Sequence, residues 1–300
     1  MPFIILGIKG GRRMDWLIIA ARTLVILFAV YCFLTAPNLF RRKLSHKQLT
    51  GHDYAHRGLH DNKRGVPENS LAAFRRAVQE GYGIELDVRE TRDHVLVVHH
   101  DEDLERSCDD PRRVCDVPLN ELQQLSLFGT KEYIPTFDEV LALVDCQAPL
   151  IVEIKTDFVN HGLPQKVYDR LRRYPGVYCI ESFDPSAVRW FKRHAPGVVR
   201  GQLAFMEDFK KKKDLSFMDK IKRMLLGYLL IDFLGRPDFI AYGYETDANI
   251  SYRFVADVFR PLLVAWTVRD QETYQRLQQE YDIQIFEHFR AKRNLPTKYS

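Results

Sequence analysis

Residues 55–74 read AHRGLHDNKRGVPENSLAAF, and this stretch decides what kind of parallel sheet the chain builds. A short apolar run ends at His56-Arg57-Gly58. Pro67-Glu68-Asn69-Ser70 then opens a helix, with Asn69 or Ser70 as its N-cap. A doubly wound sheet would place a glycine-rich turn after its first strand, and HRGLHDN contains none. Polar, reactive side chains at the C-terminal end of a strand are instead the habit of a (β/α)8 barrel.

Working outward, the pattern repeats. Apolar runs at 53–56, 84–88, 95–99, 150–154, 177–180, 198–203, 239–242, 262–268 and 283–286 alternate with helical stretches. The helical stretches lie at 70–80, 119–125, 136–144, 164–173, 185–194, 250–259 and 271–281. Such alternation implies parallel strands joined by crossover helices. Polar groups close one run after another: His56-Arg57, Glu85-x-Asp87, His100-Asp101, Glu153-x-Lys155, Glu181-Ser182 and Trp266-Thr267. The expected fold is α/β, a modified (β/α)8 TIM barrel preceded by an N-terminal transmembrane helix. Nine candidate strands exceed a barrel's eight, and the link 89–94 is too short for a helical crossover. One strand is therefore irregular or lies outside the barrel.

The chain has 300 residues, 46% hydrophobic and 28% charged, the composition of a globular protein with a sizeable core. Residues 16–40 carry a single charge, Arg22. As a helix they would span about 37 Å, against a hydrocarbon core of about 30 Å. A cleaved signal peptide and a buried helix are the rivals. A small-x-small cleavage site is missing, and Pro37 directly after Ala36 disfavours cutting there. The reading is a single-pass anchor with its flanks over 1–44 and a barrel over 45–300. Lys9, Arg12 and Arg13 on one side balance Arg41, Arg42 and Lys43 on the other, so charge selects no orientation.

The five cysteines form no CxxC pair and no zinc pattern. Cys108 and Cys115 are close enough in sequence for a disulfide in an oxidising compartment, with two free thiols as the alternative. Net charge is +4, with local clusters at 41–43 and 210–213. Neither interleaves with aromatics and no nucleic-acid fingerprint is present. Basic clusters beside apolar segments suit an anionic membrane surface.

The chemistry lies on the strands. In IELDV, residues 84–88, alternation puts Glu85 and Asp87 on one face and Ile84, Leu86 and Val88 on the other. Two carboxylates facing the barrel axis repel, unless one is protonated or a cation lies between them. VEIK repeats the arrangement with Glu153 and Lys155. Three carboxylates from two strands make an oxygen-rich site for a hard divalent cation, Ca2+ or Mg2+. A carboxylate–lysine network without metal is the alternative. His56 ends one strand and His99-His100 end another, each able to move a proton near neutral pH. Spacing does not choose between His99 and His100. With Arg57 and Lys155 beside them, these groups suit an anionic substrate whose reaction moves protons at both the attacking and leaving oxygens. Phosphodiester cleavage fits, with Glu68 a further carboxylate at the rim.

The run 206–234 is an amphipathic, partly apolar insert that a compact barrel does not need. Phe217, Ile221, Met224, Leu225 and Tyr228 share a helical face, and 224–231 carries no charge. That is too short to span a bilayer but suited to its interface, with a dimer contact or a lid as alternatives.

HRG, PENS..AF, IELDV..T.D, VVHHDEDLER, IPTFDEVL, IVEIK, ESFDP and WTV, in this order, resemble the glycerophosphodiester phosphodiesterase family. The resemblance covers nearly everything from residue 55 to about 268. It implies hydrolysis of glycerophosphodiesters to glycerol 3-phosphate and an alcohol on a modified barrel with a bound divalent cation. It implies His56 and His100 as the acid–base pair, which chooses His100 over His99. It implies Arg57 and Lys155 at the phosphate, with Glu68 and Trp266 as further substrate contacts. Glu85, Asp87 and Glu153 become the metal ligands. Two departures stand out: Asp93-His94 replaces an Asp-Gly turn, and the last strand reads IQIFEHF, with Glu287 a loose stand-in for the usual acidic ending. The expected partners are a glycerophosphodiester or lysophospholipid substrate and membrane lipids, and no nucleic acid. A phospholipase- or lysophospholipase-type phosphodiesterase on a related barrel is the nearest rival. A non-catalytic, membrane-tethered ligand-binding barrel fits less well, because every catalytic position is filled.

Overall fold

The structure is a computed structural model that describes residues 10–40, 48–157, 160–206 and 216–292. The basic runs at 41–43 and 210–213 lie outside these residues. In chain order the strands are β1 (Tyr54–Ala55), β2 (Gly83–Glu90), β3 (Leu96–Val98), β4 (Asp103–Leu104) and β5 (Asp110–Arg113). They continue as β6 (Leu150–Ile154), β7 (Tyr178–Ser182), β8 (Arg200–Ala204), β9 (Phe239–Gly243), β10 (Leu262–Val268) and β11 (Ile283–Phe286). Eight of these, β1, β2 and β6 to β11, run parallel, each bonded to its neighbour. β1 pairs with both β2 and β11, which closes the barrel.

The surplus strand is β3. It folds back antiparallel onto β2, with Val88 opposite Val98 and Glu90 opposite Leu96. The short link permits only a hairpin. Thr91 N donates to Val95 O at 3.0 Å, and His94 takes φ 66°, a left-handed position that glycine occupies more cheaply. β4 and β5 form a small separate ladder over a satellite core that includes Val97, Leu104, Leu122 and Ile134.

Local signals set the helices. Ser70 Oγ accepts from Ala73 N to cap helix Leu71–Gln79, and Thr136 with Glu139 forms a capping box on Phe137–Val144. Asp184 caps Pro185–His194, which has proline in its first turn. Ala73, Phe74 and Ala77 are buried against the outward face of β2, where Ile84, Leu86 and Val88 also lie. Removing the fully buried Phe74 ring would cost about 3–5 kcal/mol.

The inward faces divide into two levels. Tyr54, Ile151, Cys179, Phe239, Val264 and Ile285 form an apolar floor. Glu153 and Glu181 come two residues after Ile151 and Cys179 on the same strands, so they point inward one step nearer the mouth. The interior is apolar below and carboxylate-rich above.

Helix Gly10–Thr35 is long and apolar enough, over Asp15–Thr35, to cross a membrane. It stops at Thr35 and does not run on to residue 40, because Pro37 lacks the N–H a further turn needs and disfavours helical backbone at Ala36. Its last turn packs on the barrel. Tyr31 Oη donates to Ser251 Oγ at 2.7 Å, and Arg236 Nη1 donates to the carbonyls of Phe33 and Ala36 at 2.9 and 2.6 Å.

The insert forms helix Phe217–Gly227 and the short helix Asp232–Gly235. Its apolar half is not exposed all round: Leu226 and Leu229 join the barrel's outer core, while Phe217, Met218 and Met224 face outward. Helix Ile250–Phe254 continues as a π-helical turn, Val255–Phe259. All five cysteines, Cys108 and Cys115 included, are free thiols.

Candidate active site

The site begins where β1 ends. His56 N donates to Phe286 O at 2.9 Å, extending the pairing of β1 with β11 by one residue. The chain then turns sharply through Arg57 (φ 55°) and Gly58 (φ 79°). A Cβ on Gly58 would come within 2.9 Å of Ala73 and Phe74, so only glycine lets this turn lie on the following helix. The turn aims Arg57 inward. Its backbone N donates to Glu85 Oε2 at 3.0 Å, and Nη1 donates to Glu68 Oε1 at 2.6 Å. Arg57 Nε lies 3.6 Å from Asp87 Oδ2 and is buried without a hydrogen-bond partner, a donor free for an anion.

Register brings the carboxylates together, since Asp87 on β2 lies opposite Glu153 on β6. Oxygens of Glu85, Asp87 and Glu153 lie within 4.8 Å of one another, all buried. Lys155 Nζ bridges Asp87 Oδ1 at 3.0 Å and Glu153 Oε1 at 2.7 Å, and Asn69 Nδ2 donates to Asp87 Oδ2 at 2.8 Å. Burial, then the negative charges of Asp87, Glu153 and Glu181, push the Glu85 carboxyl well above its ordinary range. Asp87 moves well below: burial opposes this, but Lys155, His100 and Arg57 outweigh it. Burial and then the charge of Glu153 also raise Glu181, one of whose oxygens is buried without a partner. A cluster that must otherwise hold protons on buried carboxyls fits a hard divalent cation.

Each histidine is oriented by a carboxylate on its Nδ1. His56 Nδ1 lies 2.6 Å from Glu287 Oε2, and His100 Nδ1 lies 2.7 Å from Asp101 Oδ1. Burial works to raise Glu287 and Asp101, but hydrogen bonds to His56 and to His100 and Arg106 hold both well below the usual carboxylate range. An ionised carboxylate only accepts, so each Nδ1 carries hydrogen and each Nε2 is left for the site. Burial, helped by Arg57, lowers His56 to about 4, so that ring is neutral at pH 7. His99 points elsewhere, bonded through Nε2 to Ser107 Oγ at 2.8 Å and through Nδ1 to Asp101 O at 3.0 Å.

His56, Arg57, Glu85, His100, Glu153 and Trp266 line one cavity of about 150 Å³. An adjoining cavity of about 390 Å³ shares His100, Glu153 and Phe183 and adds Lys155, Phe205, Arg223 and Leu226. Asp87 lies beneath Lys155, and Glu68 is set behind Arg57. Glu68 lines neither cavity. It accepts from Arg106 Nη2 at 2.7 Å as well as from Arg57, and Arg106 Nε donates to Asp101 at 2.6 Å. Arg106 thereby ties the Arg57 side of the mouth to the His100 side. Sequence reasoning put Asp101 and Glu181 at strand ends without giving them a role, gave no place to Arg106, and treated Glu287 as a loose stand-in. For Glu181 the signal was available, two positions past the floor residue Cys179. For Arg106 none was, since its partner Glu68 is 38 positions away.

The model of the glycerophosphoryl diester phosphodiesterase family matches residues 56–284. A glycerophosphodiester phosphodiesterase of Caldanaerobacter subterraneus is 38% identical over 160 residues, which take in 50% of this chain and 65% of that protein. Bovine glycerophosphodiester phosphodiesterase 1 is 31% identical over 257 residues, 73% of each chain. Among solved structures, an Oleispira antarctica phosphodiesterase in complex with the product sn-glycerol-3-phosphate superposes with a TM-score of 0.62. It is 21% identical, with 79% of this chain and 92% of that one covered. The Thermotoga maritima glycerophosphodiester phosphodiesterase is 25% identical with a TM-score of 0.57, over 78% and 92% of the two chains.

Proposed function

The chain belongs to the glycerophosphoryl diester phosphodiesterase family, and from that premise we propose that it hydrolyses glycerophosphodiesters to glycerol 3-phosphate and an alcohol. One observation carries the reading: His56 and His100 open onto the same cavity as Arg57 and the carboxylates Glu85 and Glu153. His56, neutral with Nε2 free, takes the proton of the attacking water. His100 supplies a proton to the departing alcohol oxygen, and its Nδ1 partner Asp101 stabilises the charged ring. Arg57 and Lys155 bind the non-bridging phosphate oxygens and stabilise the charge that grows on them. Trp266 walls the substrate, and Glu68 holds Arg57 in place.

Glu85, Asp87 and Glu153 would hold a divalent cation, Ca2+ or Mg2+, which supplies positive charge to the phosphate oxygens when bound. Residues 1–44 act as a single-pass anchor with its flanks, and 45–300 as the catalytic barrel with the insert 206–234. Release of glycerol 3-phosphate from glycerophosphocholine by the purified full chain, with and without added cation, tests the activity. Cleavage of diacyl phospholipids with no action on glycerophosphodiesters would instead favour the phospholipase-type reading.

A further inference from the structure

Scattered exposed apolar side chains mean little on a soluble surface, but their segregation does. Among the described residues, the exposed large hydrophobics outside the N-terminal helix occupy three places. Leu39 and Phe40 come just after the Ala36-Pro37-Asn38 segment that ends that helix, Phe40 being 90% exposed. Phe217 (75%), Met218 and Met224 lie on the insert helix. Ile250 (80%) and Val258 lie on the helix after β9. The elements that carry them converge on the end of the N-terminal helix. Phe28 and Tyr31 pack their rings on Phe254, and Tyr31 Oη donates to Ser251 Oγ, which donates to Tyr228 O just past the insert helix. Phe33 packs on Phe233, and the Arg236 guanidinium lies over the Phe33 ring. The elements bearing the exposed apolar side chains therefore flank the point where the anchor joins the barrel.

The insert helix has a second face, and that face lines the site. Arg223 and Leu226 wall the 390 Å³ cavity beside His100, Glu153 and Lys155. The helix is seated at the mouth by its last residue, Gly227, whose carbonyl accepts from Tyr242 Oη at 2.8 Å. A Cβ there would meet Phe205 O at 2.9 Å. One helix thus carries exposed Phe217, Met218 and Met224 on one side and the wall of the cavity on the other, with Lys222 exposed between turns.

We infer that the bilayer holding the N-terminal helix also receives this patch, so that helix Phe217–Gly227 lies in the membrane interface and forms the bilayer-side wall of the active-site cavity. The partner is a lipid surface with anionic headgroups: apolar side chains enter the acyl boundary while Lys220 and Lys222 meet phosphates. Continuity with a helix that itself suits a bilayer selects lipid over a soluble protein as the occupant. The substrate class follows, resting on the phosphodiesterase reading above. A phosphodiester still held in the bilayer by an acyl chain reaches the cavity along its apolar wall, Phe183, Phe205 and Leu226.

The test uses the full chain in vesicles containing an anionic phospholipid. A photoreactive p-benzoylphenylalanine is placed at Met218, or at the exposed Glu121 on a different part of the barrel. Lipid adducts at 218 with none at 121 are expected; no lipid adduct at 218, or adducts only to a second copy of the chain, overturn the docking surface. In a second arm, a Phe217→Ser, Met218→Ser, Met224→Ser variant is compared with the unsubstituted chain on vesicle-held lysophospholipid and on soluble glycerophosphocholine. The expected result is a loss of about tenfold or more on the first with the second within about twofold, the scale of removing a few buried apolar contacts. Equal loss on both substrates, or loss on neither, overturns the link between docking and substrate. If the unsubstituted chain cleaves neither substrate, the phosphodiesterase reading fails, and the adduct pattern still decides the surface.

Discussion

His56 and Glu287, 231 positions apart, are joined at 2.6 Å because Ala55 and Phe286 are paired in register where β1 meets β11. Closing the barrel delivers the carboxylate that orients the histidine. His56→Ala should lower kcat by roughly 10²- to 10⁴-fold. Glu287→Gln keeps the size of the side chain but not its charge, and should fall between that variant and the unsubstituted chain with KM little changed. Steady-state kinetics on glycerophosphocholine measures both, and an undiminished kcat in Glu287→Gln would show that the contact does not serve catalysis.

The two adjacent histidines should separate by readout. His100→Ala removes the group facing the cavity and should cost roughly 10²- to 10⁴-fold in turnover. His99→Ala breaks buried bonds to Ser107 and the Asp101 carbonyl, so its cost should be stability, about 1–3 kcal/mol, with turnover far less affected. Equal kinetic losses from the two substitutions contradict the assignment. Thermal melts alongside the kinetics distinguish the effects.

Cation binding should appear in stability as well as activity. Glu85 holds a proton more readily than an ordinary carboxyl because of burial and its acidic neighbours, so Ca2+ or Mg2+ should displace that proton and raise Tm. Glu85→Gln imitates the protonated group. It should leave the cation-free Tm nearly unchanged while abolishing the cation-induced rise, and Asp87→Asn should weaken that rise. Full activity in excess chelator, with no Tm response to either ion, would mean that the protein's own cations, Lys155 and Arg57 foremost, balance the carboxylates without a metal.

Acid should find Glu68. Burial opposes the shift, but Arg106 and Arg57 lower its pKa to about 2 from 4.5. A carboxyl depressed on folding contributes stability that is full above pH 4.5 and is lost as pH falls toward about 2. The contribution is on the order of 3 kcal/mol. Glu68→Gln lacks it, so denaturant melts should show a stability gap from the unsubstituted chain at pH 6 that shrinks steadily below pH 4.5. A gap constant across that range would show that Glu68 does not hold the two arginines through its charge.

Much of this molecule is legible along the chain because its signals are local. Period-two alternation in 84–88 puts Glu85 and Asp87 on one face whatever the strand later pairs with, and Ser70, Thr136 and Asp184 start helices by bonding within their own first turns. The nine apolar runs all become strands, and the shortness of the link after β2 already forbids a ninth place in the parallel ring. The order of motifs carried the family. What the chain could not show is how distant segments meet, since such meetings depend on closure and packing that leave no spacing rule. Choosing 95–99 as the strand left outside took the hairpin itself. Giving His56 its Glu287 took the seam between β1 and β11, and joining Arg106 to Glu68 took a loop anchored on its own small core. The insert shows the limit most clearly. Its uncharged run looks uniform in sequence, yet tertiary packing buries Leu226 and Leu229 and leaves Met224 exposed, because only the barrel's surface decides which side of a helix has a partner.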